Sequence, residues 1–281
     1  MQMRCAWNEL LSILPLTVRD KVDKLGRTDL QEIRMRQGRP MELVVAKRSI
    51  WTEEIIRSED IRFVINAASK YSPWAAATSA RGYITAPGGH RIGMCGECIL
   101  RDGEMSGIRA PMSLCIRVAR DFPGTAKQPA LLDGSILILG PPGSGKTTLL
   151  RDLIRQKSDN DGSCVAVVDE RGELFPPEAD FPSGKRTDVL LSCGKKMGIE
   201  IALRTMNPGW IAVDEITSPE DCEAVIQANG CGVRLMATAH GRSVEDLQKR
   251  DIYKRLYDRN VFSYVCILSR DKSYRLERME R

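Results

Sequence analysis

The sequence predicts an α/β protein in two parts: a parallel-sheet core over residues 131–281 and a smaller α/β domain over 1–122, joined by a linker at 123–130. Three observations carry that expectation. Short apolar runs at 135–139, 164–169, 210–214, 233–238 and 262–268 alternate with helix-spaced stretches near 146–157, 187–205, 219–229 and 243–257. Near-continuous apolar strands that alternate with helices belong to parallel sheets covered on both faces. Between the first strand and the first helix stands Gly-Pro-Pro-Gly-Ser-Gly-Lys-Thr, a complete G-x-x-x-x-G-K-[ST] loop.

The loop justifies the first strand–helix unit. Gly140, Pro141, Pro142, Gly143, Ser144, Gly145, Lys146 and Thr147, with Thr148 opening the helix, form a strand–turn–helix start whose free backbone N–H groups converge on an anion. Gly143 and Gly145 suit a backbone that curls round a phosphate without a Cβ in the way. Lys146 is placed to reach the β- and γ-phosphates of ATP, and the Thr147 hydroxyl to ligate Mg²⁺. The pattern is that of a RecA-like P-loop ATPase core.

The later strands end in acids. Ile211-Ala212-Val213-Asp214-Glu215 is an apolar strand with two carboxylates at its C-terminal end. Asp214 is the expected Mg²⁺ partner of Thr147, and Glu215 the group that orients or deprotonates the attacking water. Strand 164–169 leads into Asp169-Glu170-Arg171-Gly172-Glu173, which faces the same crevice because ligands bind beyond the carboxyl ends of such strands. Either Asp169 or Glu170 is a candidate for sharing Mg²⁺ or positioning water. Strand 233–238 places His240, one of only 2 histidines, at a third crevice-facing end, where it is a candidate sensor of the γ-phosphate. Arg204 is a weaker candidate for the same site. The last strand is expected to pair with 273–277 as an edge hairpin.

Two prolines and a glycine in Phe122–Pro129 mark the linker. Before it, 7–25 has helical spacing interrupted by Pro15, and 33–36 and 41–45 read as short strands around Gly38-Arg39-Pro40. A helix follows at about 58–71. Residues 82–85 and 90–94 bracket the turn Pro87-Gly88-Gly89, and 113–119 is a further strand. This domain carries Arg81, Arg91, Arg109, Arg117 and Arg120. Phosphoryl transfer is commonly completed by an arginine from a neighbour. Arg91 and Arg117, on neighbouring strands, are the candidates; the alternative is that they are sheet-surface arginines.

Composition limits the function classes. No apolar run nears the roughly 20 residues that cross a bilayer, and residues 1–9 lack the apolar core of a signal peptide, so a cytoplasmic protein is expected, held at a membrane only through partners. The 9 cysteines are too sparse for a disulfide scaffold. Cys95-Gly96-Glu97-Cys98 is the one suggestive pair, readable as zinc ligands or as ordinary thiols in a glycine-rich hairpin. The net charge of +5 is mild, and 11 of the basic residues against 7 acids fall after residue 241. Aromatics make up 5% of the chain, without the aromatic–basic interleaving of a base-stacking surface, so no specific nucleic-acid partner is expected.

In order, the phosphate loop, Val-Val-Asp-Glu-Arg-Gly-Glu at 167–173, Ile-Ala-Val-Asp-Glu at 211–215 and Met-Ala-Thr-Ala-His-Gly-Arg-Ser at 236–243 resemble the Walker A, aspartate box, Walker B and histidine box of the type II/type IV secretion ATPases. Leu-Gln-Glu-Ile-Arg-Met-Arg at 30–36, Gly-Tyr-Ile-Thr at 82–85 and Gly-Gly-His-Arg-Ile-Gly at 88–93 narrow the resemblance to the stage III sporulation protein AA family, over almost the whole chain. The resemblance implies a hexameric ring in which each N-terminal domain packs on the next subunit's ATPase domain. It also implies an ATP-powered role in the channel between mother cell and forespore, with membrane-embedded partners. By that likeness Lys146, Thr147, Asp214, Glu215, Glu170 and His240 take the family's roles. The tetracysteine motif common in secretion ATPases is missing from the C-terminal half, and the N-terminal part is shorter.

Overall fold

Pro15 splits the first helical run into α1 (Trp7–Ser12) and α2 (Leu16–Leu25), because its ring fixes φ and removes a donor. The computed structural model describes residues 3–26, 30–46, 48–70, 82–160 and 162–279, so Arg81 lies outside the described residues. By contact density the chain divides into two units, Met3–Asp121 with Pro177–Asp180, and Phe122–Pro176 with Phe181–Arg281.

In the first unit β1 (Leu30–Arg36), β2 (Pro40–Val45), β3 (Arg48–Ile55), β4 (Tyr83–Thr85), β5 (Arg91–Arg101) and β6 (Glu104–Arg117) form one antiparallel sheet in the order β3-β2-β1-β6-β5-β4. Strand β3 was absent from the expectation, since its alternation is weak and all its residues are exposed or half-exposed. Strands β5 and β6 run far beyond 90–94 and 113–119, as one long hairpin. The helix expected at 58–71 is α3 (Ser58–Ala68). It joins α1 and α2 over one sheet face, where Leu10, Val18, Val22, Ile61 and Val64 meet Ile33, Met35, Ile92 and Ile116 in a continuous core. The other face is charged: Arg91, Arg117 and Glu32 stand in register across β5, β6 and β1.

The second unit holds β7 (Ile136–Leu139), α4 (Lys146–Asn160), β8 (Val165–Asp169), β9 (Thr187–Leu191), α5 (Lys195–Thr205), β10 (Trp210–Val213), α6 (Pro219–Gly230), β11 (Arg234–Ala239), α7 (Val244–Lys249), α8 (Asp251–Asp258), β12 (Tyr264–Leu268) and β13 (Tyr274–Arg278). The sheet order is β13-β12-β7-β11-β10-β8-β9. All pairings are parallel except β12 with β13, the expected edge hairpin. The central strands are buried at every position, as a doubly covered sheet requires.

Two helical expectations change. Residues 187–191 are the edge strand β9, not the first turns of a helix, because the short apolar run pairs with β8 before Gly194 opens α5. The stretch 243–257 breaks at Arg250, whose φ of −98° and ψ of 119° are extended. Segment 123–130 is tied down within the second unit and does not run as a free linker. Ala126 is fully buried and its N–H reaches the Asp152 carboxylate at 2.7 Å.

That contact is one of a set. Helix α4 turns its charges inward to irregular backbone. Arg151 donates to the carbonyls of Glu173 and Leu174, and Arg155 to Pro182. Lys157 donates to Leu132 at 2.7 Å, and the Ser158 hydroxyl accepts from the Arg186 N–H. Each of these buried polar groups ties α4 to backbone outside the helix and satisfies a polar group there. The helix behind the phosphate loop therefore fixes the loops that flank the crevice.

Candidate nucleotide site

The phosphate loop is built on backbone only glycine adopts easily: Gly143 has φ of 75° and Gly145 of 100°. A Cβ on Gly140 would collide with Ser144 Oγ and press on Leu268. Ser144 Oγ itself is buried without a hydrogen-bond partner among the described residues. Tight glycines, an orphaned hydroxyl and a helix N-terminus suit a polyphosphate, which supplies acceptors where the loop offers donors. Thr148 follows as the third residue of α4.

Lys146 Nζ lies 3.0 Å from the Gly140 carbonyl, 3.2 Å from that of Pro141 and 3.2 Å from His240 Nδ1. An ammonium donates only, so its three protons meet three acceptors and His240 Nδ1 carries none. The remaining ring proton is then on Nε2, which contacts the Glu215 carboxylate. Burial lowers the Lys146 pKa, opposed by the nearby Glu215 and Asp214 carboxylates.

Asp214, one residue past β10, accepts from Thr147 Oγ1 at 3.2 Å and from Thr238 Oγ1 at 2.6 Å. Hydroxyl and carboxylate together, at the helix N-terminus, form a hard oxygen pair that fits Mg²⁺. Glu215 has φ of 34°, a strained value for a side chain with a Cβ, and its N–H is held by Thr238 Oγ1 at 2.8 Å. Thr238 was not among the expected residues. The parallel register places it, pairing Val213 with Ala237 and so setting Thr238 beside Asp214. The His240 backbone is held in turn by Arg250, which donates to its carbonyl at 3.1 Å from the break before α8.

The acids at the end of β8 divide. Asp169 is 1% exposed, and its carboxylate accepts three backbone N–H groups, from Glu173, Leu174 and Phe175, all at 2.9 Å. Those bonds make it an organiser of its own loop. Burial pushes its pKa up against the pull of these donors, with Asp214 adding to the rise. Glu170 is less buried and lines the same crevice as Asp169, Arg171, Glu173, Lys195, Asp214 and Glu215. It is bonded by Lys195 Nζ at 2.8 Å. Lys195 was missed, because a lysine opening a helix carries no motif.

The N-terminal candidates keep sheet positions. Arg91 stacks on the Tyr83 ring at 3.8 Å, and Arg117 lies 3.8 Å from Glu32 and is largely exposed. Arg109 pairs with Glu97. Arg204 is exposed at the end of α5. The chain's other histidine, His90, is fully buried between the Ala6 carbonyl at 2.9 Å and the Ala119 N–H at 3.1 Å, and burial lowers its pKa. Cys95 and Cys98 are exposed on β5, and no cluster of three or more metal-ligating side chains occurs among the described residues. No helix among them is long and apolar enough to cross a membrane.

Residues 6–276 match the family model for sporulation stage III, protein AA. The stage III sporulation protein AA of Bacillus subtilis (strain 168) is 35% identical, over 94% of this chain and 92% of that protein. Among solved structures, the ATPase DotB of Yersinia pseudotuberculosis superposes with a TM-score of 0.65 at 15% identity, covering 93% of this chain and 78% of that one. The pilus retraction motor PilT, solved with bound ADP, gives 0.62 at 13% identity over 95% of this chain and 83% of its own. At such identities the structural likeness speaks to fold. The fold is the RecA-like one of the secretion ATPases, with a smaller N-terminal α/β domain, and the chain belongs to the sporulation stage III AA family.

Proposed function

We propose that the chain is a ring-forming motor that hydrolyses ATP to ADP and phosphate. In this reading it powers a channel or secretion complex between mother cell and forespore. The supporting observation is the convergence of Lys146, Thr147, Asp214, Glu215 and His240 at the C-terminal ends of β7, β10 and β11. The residues of the loop, Gly140 to Thr148, hold the phosphates, and Lys146 neutralises them. Thr147 and Asp214 hold Mg²⁺, which would offset the charge that develops on the phosphate oxygens. Glu215 holds the attacking water and takes its proton; His240, hydrogen-bonded to both Lys146 and Glu215, couples the two sides of the site. Glu170 adds a carboxylate on the water side.

A hexamer working with membrane-embedded components from the mother-cell cytoplasm rests on family membership. Arg91 or Arg117 of a neighbouring subunit would complete the charge around the transferring phosphoryl group. The test is Mg²⁺-dependent phosphate release, with mass measured by light scattering with and without ATP. Lys146→Ala is expected to abolish turnover, and Glu215→Gln to leave a protein that binds ATP without releasing phosphate. Parent-level hydrolysis by Lys146→Ala would overturn the reading. A parent that binds Mg²⁺–ATP tightly and never turns it over, alone or as an oligomer, would favour a nucleotide-gated binding module.

A further inference from the structure

Lys195 is the first residue of α5 and only 9% exposed. Both facts count against a lysine. The helix N-terminus carries partial positive charge, and burial strips the ammonium of water. Two carboxylates offset this: Glu170 at 2.8 Å and Asp221 at 3.6 Å. The two differ in what else they touch. Asp221 also accepts from the Thr217 N–H at 3.0 Å, the Thr217 hydroxyl at 3.3 Å and the Ser218 N–H at 3.2 Å, within the capping box of α6. Glu170 has no other hydrogen-bond partner among the described residues.

Close packing puts Lys195 there. Gly198, one turn into α5, lies against Val168, and a Cβ on it would collide with both Val168 methyls. The helix therefore approaches β8 as nearly as backbone allows, and its first residue reaches the acid two positions past Val168. On its other side the Asp221 cap ties Lys195 to α6, which follows Glu215 by three residues of loop.

We propose that Lys195 is a positioning residue for Glu170: it holds the carboxylate toward the nucleotide crevice and cancels its charge beside the polyphosphate. This deepens the ATPase reading and rests on it for the turnover consequence alone. In the binding consequence, loss of Lys195 leaves the Glu170 charge facing the phosphates, and removing that charge restores affinity. A lysine that touched phosphate directly would behave differently, since its loss would weaken binding whether or not Glu170 were charged.

The experiment is a double-mutant cycle of Lys195→Met and Glu170→Gln in the full chain, read on Mg²⁺–ATP-analogue binding and on phosphate release. Methionine has a similar length, and Asp221 keeps its capping partners without Lys195, so the fold should stand; thermal unfolding checks it. Lys195→Met is expected to weaken analogue binding about fivefold in the parent and less than twofold in the Glu170→Gln background. It should lower the maximal rate about tenfold in the parent and not further in Glu170→Gln. Equal losses in both backgrounds would overturn the proposal, as would unchanged binding and rate in a folded Lys195→Met. If the parent releases no phosphate, the ATPase reading fails, and the binding cycle still decides the role of Lys195.

Discussion

Two neighbouring strands carry the same three residues at their C-terminal ends, Val168-Asp169-Glu170 from β8 and Val213-Asp214-Glu215 from β10, with Val168 and Val213 in register. Their chemistry differs because different groups come to meet them. Asp169 is surrounded by backbone N–H groups of its own loop and becomes a buried anchor. Asp214 meets two hydroxyls, from Thr147 and Thr238, and stays available to a cation. Glu170 is held by a lysine and Glu215 by a histidine. The identical tripeptide builds a loop on one strand and a site on the next.

Swapping carboxylate for amide at the two glutamates gives the sharpest contrast. Glu215→Gln should cut the maximal rate of phosphate release by about 100-fold or more, as loss of a general base does. Glu170→Gln should cost about tenfold, because only water positioning suffers. Equal losses would mean that both strand ends act directly on the water, and the contrast would collapse.

The aspartates should separate stability from binding. Asp169→Ala leaves three buried N–H groups without an acceptor and should lower unfolding free energy by about 2–4 kcal/mol in denaturant titration. Asp214→Ala should cost less than about 1 kcal/mol yet weaken Mg²⁺-dependent nucleotide binding about 10- to 100-fold. Reversed results would exchange the roles assigned here.

Thr238→Val removes the hydroxyl shared by Asp214 and the Glu215 N–H while keeping the shape of the side chain. A loss of about 1 kcal/mol in stability is expected, with a larger proportional loss in turnover. If the rate is unchanged, the strained Glu215 backbone needs no such tether.

The smallest effect is on pH. The Asp169 pKa is raised in the fold above its ordinary 3.8, so the native state binds this proton more tightly than the unfolded chain. Native stability gains from it at low pH, and the gain is lost as pH rises from about 4 through the folded pKa. Asp169→Asn should flatten that part of the stability–pH curve. An unaltered slope would show that the three N–H donors balance burial, and a slope change of the opposite sign that they outweigh it.

The phosphate loop, the acidic strand ends and His240 were legible because each is a local pattern at a strand end, and strand ends in a parallel sheet share one edge. The strands themselves were legible wherever they were fully buried. Edge strands β3 and β9 were not, since half-exposed residues follow neither alternation nor a continuous apolar run. The break at Arg250 was hidden for another reason: the helical spacing continues through it, and the bond from Arg250 to the His240 carbonyl belongs to a distant strand end. Of the two histidines, His240 was marked by its strand end and bridges Lys146 and Glu215, while His90 is sealed between backbone groups, a contact no local pattern announces.

By itself the sequence determined the fold class, the phosphate loop and which strand ends carry acid, because these depend on residue type and spacing along a few consecutive positions. Only the tertiary structure decided which aspartate is a buried anchor and which meets two hydroxyls, that Thr238 tethers Glu215, and that Lys195 reaches Glu170. Those outcomes depend on how closely separate elements approach, and the approach is set by register between strands and by a glycine where α5 meets β8. A hydrogen bond needs its partners within about 3 Å, and no spacing along the chain encodes that distance across a sheet.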